Sequence, residues 1–152
     1  MKKTWIRLVI ASSIDGRIAY PEGGKTQLGK EGDRFVLEES LAWADGILIG
    51  GQTLRDHQSI CLIHDERLIQ KRISEGRDKQ PIALVVSNQK SHPSIWPFFQ
   101  QPVQRWLLQN TDLYNKNLVP NGYHKKINLS DNWFKSLKIL NNKGLSKIAL
   151  LG

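Results

Sequence analysis

The sequence is poor in cysteine, since Cys61 is the only one among 152 residues. A single cysteine cannot form a disulfide within the chain, and it cannot supply the cysteine cluster of a structural zinc site. This scarcity excludes a disulfide-stabilised scaffold and is consistent with a reducing compartment.

Long apolar runs are also missing. Two lysines followed by apolar residues up to Ala11 superficially resemble a secretory signal, but Arg7 interrupts the run and Asp15 soon follows it. The remaining apolar length is too short for a signal peptide core or for a membrane span. We therefore expect a cytosolic protein with no membrane partner.

The length and composition are those of one globular domain. A chain of 152 residues is about the size of a single core, so we expect one domain over residues 1–152. With 39% hydrophobic and 24% charged residues, the chain has enough apolar surface to fold, which excludes a disordered protein.

The net charge of +8 is unevenly distributed. Residues 1–60 carry eight basic and eight acidic side chains, whereas the rest of the chain carries fourteen and six. A basic half fits a polyanionic partner, a small phosphorylated ligand or merely a solvated surface. Because the basic residues are scattered rather than clustered, we do not expect a nucleic-acid partner.

Short apolar runs, the first of them rich in β-branched residues, predict six strands. The runs are residues 5–12, 47–49, 82–86, 105–108, 126–129 and 147–151. Helical spacing predicts helices over residues 31–44, 66–74 and 131–142, the last with Ser130 as its N-cap. Strands that are apolar on both faces and alternate with helices indicate a three-layer α/β fold. Its central sheet would be mostly parallel, with helices on both faces.

Open parallel sheets bind ligands beyond the carboxyl ends of their strands, so the residues after each strand are the first candidates. They are residues 12–17, 50–55, 87–90 and Gly152. Gly50, Gly51 and Thr53 are the most suggestive, because paired glycines let the backbone approach a phosphate that N–H groups and a hydroxyl can hold. The same residues also fit an ordinary tight strand exit, and they match neither a P-loop nor G-x-G-x-x-G.

The first strand is followed by Asp15, Gly16 and Arg17. A carboxylate and a guanidinium at a strand end can orient a polar ligand ring. An Asp-Gly turn with its charges in water explains the same residues.

The four histidines do not form a metal-binding pattern. His57 and His64 lie near acidic residues, but no third ligand follows at a recognisable interval, so we expect no metal. His92 and His124 adjoin turn residues, and we expect both to be solvated.

Two motifs stand in a fixed order in the first sixty residues. The run S-I-D-G-R-I-A at residues 13–19 is followed by a glycine-bearing loop, a helix ending near Asp45 and the strand exit G-G-Q-T at residues 50–53. This order resembles the reductase domain of riboflavin-biosynthesis deaminase-reductases. Residues 85–87 and 147–152 resemble later strands of that domain, which has the dihydrofolate-reductase-like fold. The likeness extends over the whole chain and is most specific in the first sixty residues.

The resemblance implies NADPH-dependent reduction of a phosphorylated ribosylaminopyrimidine, in which C1 of the ring-opened ribose receives a hydride. It implies that the cofactor-facing residues are Ala11, Gln27, Gly50, Gly51, Thr53, Ser87 and Gly152. It implies that the substrate-side residues are Lys25, Arg55 and His64. Asp15 can orient the substrate, and Asp15 or His57 can supply the required proton directly or through water.

Several positions depart from the family pattern, mainly on the substrate side. Leu41 stands where the family commonly has an arginine, His57 lies in a segment that is usually acidic and followed by proline, and His64 replaces a further arginine. Two alternatives therefore stay open within this fold, a nucleotide-binding protein that has lost catalysis and a dihydrofolate or pterin-type reductase. A nucleic-acid-binding module is a third, supported only by the basic second half.

The family also continues beyond the position of Gly152 with further glycines, a helix and strands. We therefore expect the 152 residues to be an incomplete copy of the domain. A sheet edge left exposed in this way would favour pairing with a second chain, so we expect a homodimer.

Overall fold

The computed structural model of the protein describes residues 3–24, 31–89, 91–110 and 118–152. The strands are β1 (Trp5–Val9), β2 (Gly46–Gly50), β3 (Ile82–Val86), β4 (Arg105–Asn110), β5 (Lys125–Leu129) and β6 (Lys147–Leu151). The helices are α1 (Glu31–Trp43), α2 (Gly51–His57), α3 (Glu66–Ser74) and α4 (Trp133–Asn142), with a 3-10 helix at Pro97–Gln100.

The six strands form one sheet in the order β1-β6-β2-β3-β4-β5. Each of the five neighbouring pairs is parallel. The last strand in the sequence therefore lies between β1 and β2, while the other neighbours follow the chain order. The predicted α/β fold with a parallel central sheet is confirmed.

Two hydrophobic cores cover the two faces of this sheet. Successive residues of a strand point to opposite faces, so Ile47 and Ile49 pack in one core while Leu48 packs in the other. The first core takes apolar residues from α1, α2 and α3, and the second takes them from α4. Helices on both faces explain why the central strands are apolar throughout.

Asp45 joins the starts of β2 and β6. Its Oδ2 accepts hydrogen bonds from the Ser146 N–H at 3.0 Å, the Ser146 hydroxyl at 3.0 Å and the Lys147 N–H at 2.9 Å. Its backbone N–H donates to the Lys147 carbonyl at 2.7 Å. These four bonds hold β6 beside β2 at the amino-terminal edge of the sheet.

The carboxyl end of α1 is capped by Arg72 of α3, which is 2% exposed. Its Nη1 donates to the carbonyls of Ala42 at 3.0 Å and Ala44 at 2.7 Å, and its Nε donates to the Asp78 carbonyl at 2.8 Å. Burial lowers the pKa of Arg72 to about 10, with the nearby Arg77 adding to the effect. The buried guanidinium thus supplies donors for helix-end carbonyls that α1 itself cannot pair.

The first strand differs from its prediction as a buried strand over residues 5–12. It ends at Val9, and the exposed fractions of Trp5 and Leu8 are 56% and 61%. The reason is its place at the sheet edge, where β6 is its only partner strand in the described part of the chain. Arg7 stacks over the Trp43 ring at 4.3 Å and covers part of one face.

Two local features also differ from the sequence-based expectation. The segment after Gly50 forms the helix α2, where the sequence predicts no helix. The N-cap of α4 is Asn132, whose side chain accepts from the Phe134 N–H at 2.7 Å, and not Ser130. Both residue types cap helices well, so the sequence alone did not decide between them.

We predict that Arg72→Met destabilises the fold by about 2–4 kcal/mol, because several buried carbonyls lose their donor while the apolar stem is kept. Urea unfolding followed by tryptophan fluorescence measures this change. The control is the exposed neighbour Lys71→Met, which should change the free energy of unfolding by less than about 0.5 kcal/mol. Equal stabilities of the two variants would contradict the capping role.

Candidate active site

The strand order brings most of the sequence-predicted cofactor residues to one edge of the sheet. Because all strands are parallel, their carboxyl ends lie at that edge, and those of β1, β6, β2 and β3 are successive neighbours. The residues at or just beyond these ends are Ala11, Gly152, Gly50 with Gly51, and Ser87. A Cβ on Gly152 would lie 3.5 Å from the Ile10 side chain, which shows how closely the first two ends approach.

Gly50 and Gly51 differ in what surrounds them. A Cβ on Gly51 would lie 2.8 Å from the Ser87 hydroxyl oxygen, so close packing of α2 on β3 requires glycine there. A Cβ on Gly50 would meet no described atom within 4 Å, and its φ of −77° suits any residue. Neither packing nor backbone conformation therefore accounts for glycine at position 50, whereas close approach of a ligand would.

Side-chain hydrogen bonds link three polar residues of α2. Arg55 Nη2 donates to Gln52 Oε1 at 2.8 Å, and Gln52 Nε2 donates to Asp56 Oδ1 at 2.8 Å. Thr53 is half-buried and makes no side-chain hydrogen bond to the described part of the chain, so its hydroxyl is available to a ligand. His57 ends α2, about 9 Å along the helix from Gly51.

The loop after β1 holds Asp15 in a small hydrogen-bonded turn. The Ser13 hydroxyl donates to the Asp15 carboxylate and accepts from the Arg17 N–H at 3.0 Å. Arg17 Nε pairs with Asp15 Oδ2 at 3.1 Å, with both side chains exposed. Gly16 has a φ of 80°, which completes the turn. The carboxylate is therefore oriented by its own loop, and no hydrogen bond joins it to His57 within the described residues.

His92 is buried at the end of β3, so the prediction that it is solvated was wrong. Its Nδ1 lies 2.9 Å from the Tyr123 hydroxyl and its Nε2 lies 3.4 Å from the Ser87 hydroxyl. The Trp96 ring packs beside it at a centroid distance of 5.7 Å. No local sequence pattern indicates the burial of His92, because this burial depends on Tyr123, which is 31 positions away.

The environment of this cluster favours neutral side chains. Burial lowers the pKa of His92, with the positive charge of Arg55 adding to the effect. Burial also raises the pKa of the Tyr123 hydroxyl, which therefore keeps its proton. The cluster consequently offers neutral hydrogen-bonding groups beside the exit of β3.

The predicted substrate residue His64 lies against α1. A cavity of about 330 Å³ is lined by Arg34, Phe35, Glu38, His64 and Asp65. Glu38 Oε2 accepts the N–H groups of His64 and Asp65, each at 2.8 Å. Burial raises the pKa of Glu38, but hydrogen bonds from Arg34 and from these two N–H groups outweigh burial and hold the pKa below its ordinary value.

Two predicted site residues, Lys25 and Gln27, lie outside the described residues. Leu41, at the position where the resemblance implied an arginine, is fully buried in the first core with Leu54 and Phe98. The leucine is thus a core residue here rather than a surface residue facing a ligand.

A model of the RibD C-terminal domain matches residues 4–152, almost the entire chain. The chain belongs to the RibD C-terminal domain family. The resemblance noted in the sequence is thereby confirmed at the level of the family. No curated protein matches this chain.

Solved structures share the fold of this RibD C-terminal domain. A pyrimidine reductase-like protein from Corynebacterium diphtheriae matches with a TM-score of 0.74 at 19% identity, over 99% of this chain and 66% of that one. The Thermotoga maritima diaminohydroxyphosphoribosylaminopyrimidine deaminase/5-amino-6-(5-phosphoribosylamino)uracil reductase matches with a TM-score of 0.74 at 16% identity, over 99% and 39%. The riboflavin biosynthesis reductase of Saccharomyces cerevisiae matches with a TM-score of 0.68 at 13% identity, over 100% and 64%.

These likenesses show that the RibD C-terminal domain described here has the dihydrofolate-reductase-like fold that the resemblance implied. The chain spans less than two thirds of the length of these structures. None of its described helices is both long enough and apolar enough to span a membrane. In the same residues, no group of three or more His, Cys, Asp or Glu side chains is arranged to hold a metal ion.

We predict that burial of His92 makes the stability of the protein depend on pH. The pKa of His92 is lower in the folded protein than in the unfolded chain, where it is about 6.5. The unfolded chain therefore binds more protons as the solution becomes acidic. Because of this, the free energy of unfolding falls as the pH decreases from about 7.5 to 5.5. The loss stops once the pH passes below the folded-state pKa. The stabilisation from Glu38 is lost at lower pH, below about 5.

Urea unfolding at a series of pH values measures this dependence in wild type and His92→Asn. The substitution should flatten the slope of the unfolding free energy against pH over this range. Ser146→Ala loses a hydrogen bond at the opposite sheet edge without losing a titratable group, so its slope should equal that of wild type. A His92→Asn slope equal to wild type would contradict the prediction.

Proposed function

We propose that this RibD C-terminal domain is an NADPH-dependent reductase that acts on a phosphorylated ribosylaminopyrimidine in riboflavin biosynthesis. The observation that carries the proposal is the meeting of Gly50, Thr53, Ser87 and Gly152 at one carboxyl edge of a parallel sheet. Ligands of open α/β folds bind at this edge. Family membership over residues 4–152 supplies the reaction class.

The residues at this edge fit a dinucleotide. The open space above Gly50 allows a phosphate to approach the backbone, and the Thr53 hydroxyl has no competing hydrogen bond in the described chain. Together with these two, the residues that would hold the cofactor are Ala11, Gly51, Ser87 and Gly152. When bound, NADPH supplies the hydride.

The remaining task for the chain is to orient the substrate and deliver a proton. As C1 of the opened ribose is reduced, the attached nitrogen gains an electron pair and must accept a proton. We assign this proton to Asp15 or His57, acting directly or through water. Ser13 and Arg17 fix the Asp15 carboxylate, which suits a group that orients a substrate. Arg55 and His64, with Lys25, remain the proposed substrate contacts.

A specific observation favours one alternative, a nucleotide-binding protein that has lost catalysis. Leu41 is buried in the core at a position where the family commonly has an arginine for the substrate. A charged phosphate would lose a bidentate partner as a result. This alternative predicts that NADPH binds but is not oxidised.

The deciding experiment is NADPH binding followed by an oxidation assay. Fluorescence titration measures binding, and loss of NADPH absorbance measures turnover with ribosylaminopyrimidine phosphate, with dihydrofolate as the comparison substrate. Turnover with the pyrimidine supports the proposal, and turnover with dihydrofolate supports a pterin-type reductase. NADPH binding without turnover of either substrate supports a nucleotide-binding protein that has lost catalysis. Absence of NADPH binding contradicts the proposal.

We also propose that the protein is a cytosolic homodimer. The exposed apolar side chains of Trp5, Ile6 and Leu8 on the edge strand β1 support pairing with a second copy. Light scattering on the purified chain decides the matter, since a monomer at all concentrations would contradict the pairing.

We predict that Gly50→Ala affects mainly NADPH binding, whereas Gly51→Ala affects mainly the stability of the fold. Gly50→Ala should weaken NADPH binding about tenfold or more, because its methyl group fills the space assigned to the cofactor. It should change the free energy of unfolding by less than about 1 kcal/mol. Gly51→Ala should cost about 1–3 kcal/mol of stability, because its Cβ would overlap Ser87. Unchanged NADPH affinity in Gly50→Ala would place the cofactor elsewhere.

We predict that Asp15→Asn lowers kcat by about a hundredfold while leaving NADPH affinity within about twofold. The substitution keeps the shape of the side chain and removes its charge. Steady-state kinetics and a binding titration on the same preparation measure the two effects. Asp78→Asn, an exposed aspartate after α3, is the control and should alter neither. A normal kcat in Asp15→Asn would remove Asp15 from the chemistry.

A further inference from the structure

Three buried polar side chains form a hydrogen-bonded line that ends at the proposed cofactor site. Tyr123 precedes β5, His92 follows β3, and Ser87 stands at the exit of β3. Their relative exposures are 7%, 6% and 7%. The contacts are 2.9 Å from the Tyr123 hydroxyl to His92 Nδ1 and 3.4 Å from His92 Nε2 to the Ser87 hydroxyl.

The direction of these hydrogen bonds follows from the number of donors. The Tyr123 O–H is buried, and His92 Nδ1 is its only hydrogen-bond partner in the described chain. A buried hydroxyl proton without an acceptor is costly, so Tyr123 donates to Nδ1. A neutral imidazole carries one proton, which must then be on Nε2 and point to Ser87.

Ser87 consequently accepts two hydrogen bonds. Besides Nε2–H of His92, its Oγ accepts the Gln89 N–H at 3.2 Å. Gln89 is itself held by Gln109, whose side-chain amide donates to the Gln89 carbonyl at 2.6 Å. A serine oxygen has two lone pairs, so with both used the hydroxyl can interact further only through its own proton.

We propose that Tyr123 and His92 are positioning residues that hold the Ser87 hydroxyl as a hydrogen-bond donor to an acceptor oxygen of the bound nucleotide. The inference rests on the proposed function, because that function places the nucleotide at this sheet edge. Ser87 packs against Gly51 at this edge, since a Cβ on Gly51 would come within 2.8 Å of its hydroxyl oxygen. The hydrogen bonds from Tyr123 to His92 and from His92 to Ser87 thus determine that Ser87 pairs with an acceptor atom of the ligand and not with a donor.

The proton position on His92 is measurable without any ligand. Long-range ¹H–¹⁵N spectra of the imidazole should show Nε2 protonated in the wild type. Tyr123→Phe keeps the ring that packs edge-on against Phe99 but removes the donor, so the Nδ1-protonated form should appear. A wild-type imidazole that is protonated on Nδ1 would overturn the inference.

The second test is a double-mutant cycle on NADPH affinity. Ser87→Ala should weaken binding about tenfold, because it removes the hydrogen bond to the nucleotide. Tyr123→Phe should weaken binding about threefold, because the Ser87 hydroxyl is then no longer held as a donor. In the Ser87→Ala background, Tyr123→Phe should have no further effect, since it acts through Ser87. The control Ser146→Ala, which loses a hydroxyl bond at the opposite edge, should bind as wild type.

The two proposals fail in different ways. If wild type does not bind NADPH, the proposed function fails, and the His92 spectra still decide whether Ser87 is held as a donor. If wild type binds NADPH but Tyr123→Phe changes the NADPH affinity equally in the wild-type and Ser87→Ala backgrounds, the proposed function stands and the positioning role is wrong. His92→Asn provides a second variant in the same cycle should Tyr123→Phe not fold.

Discussion

The structure depends on one long-range pairing, the insertion of β6 between β1 and β2. Asp45 holds this pairing at the amino-terminal edge, where its carboxylate binds Ser146 and Lys147 across 101 and 102 positions of sequence. Closing so long a loop costs conformational entropy, which the shared cores on both faces offset. Without this insertion, β1 would have no partner strand in the described chain, and Gly152 would not reach the proposed site.

Long-range stabilising hydrogen bonds and the proposed nucleotide site lie at opposite edges of the sheet. Asp45 and Arg72 tie strands and helix ends together at the amino-terminal edge. Gly50 and Ser87 stand at the carboxyl edge, where the proposed nucleotide binds. Gly51 is the exception, because it serves packing while lying inside the site. Substitutions at the two edges are therefore expected to affect different measurements.

The proposed cofactor side and the proposed substrate side of the domain differ in the contacts that the structure places there. On the cofactor side, the strand exits meet at one edge, and a buried hydrogen-bonded line from Tyr123 through His92 ends at Ser87. On the substrate side, Leu41 is buried in the core, and His64 lies beside a cavity that is also lined by Arg34, Glu38 and Asp65. The two sides thus support different parts of the proposed function.

The sequence by itself determined the α/β class, the positions of six strands and the bounds of α3, because apolar runs and helical spacing reflect interactions between residues close in the chain. It also located the strand exits that carry the proposed cofactor site. It did not predict α2, since a seven-residue helix that begins at Gly51 shows little apolar periodicity. Only the tertiary structure decided that β1 is an exposed edge strand and that His92 is buried. Strand neighbours and buried hydrogen-bond partners come from distant parts of the chain, and no local pattern records them.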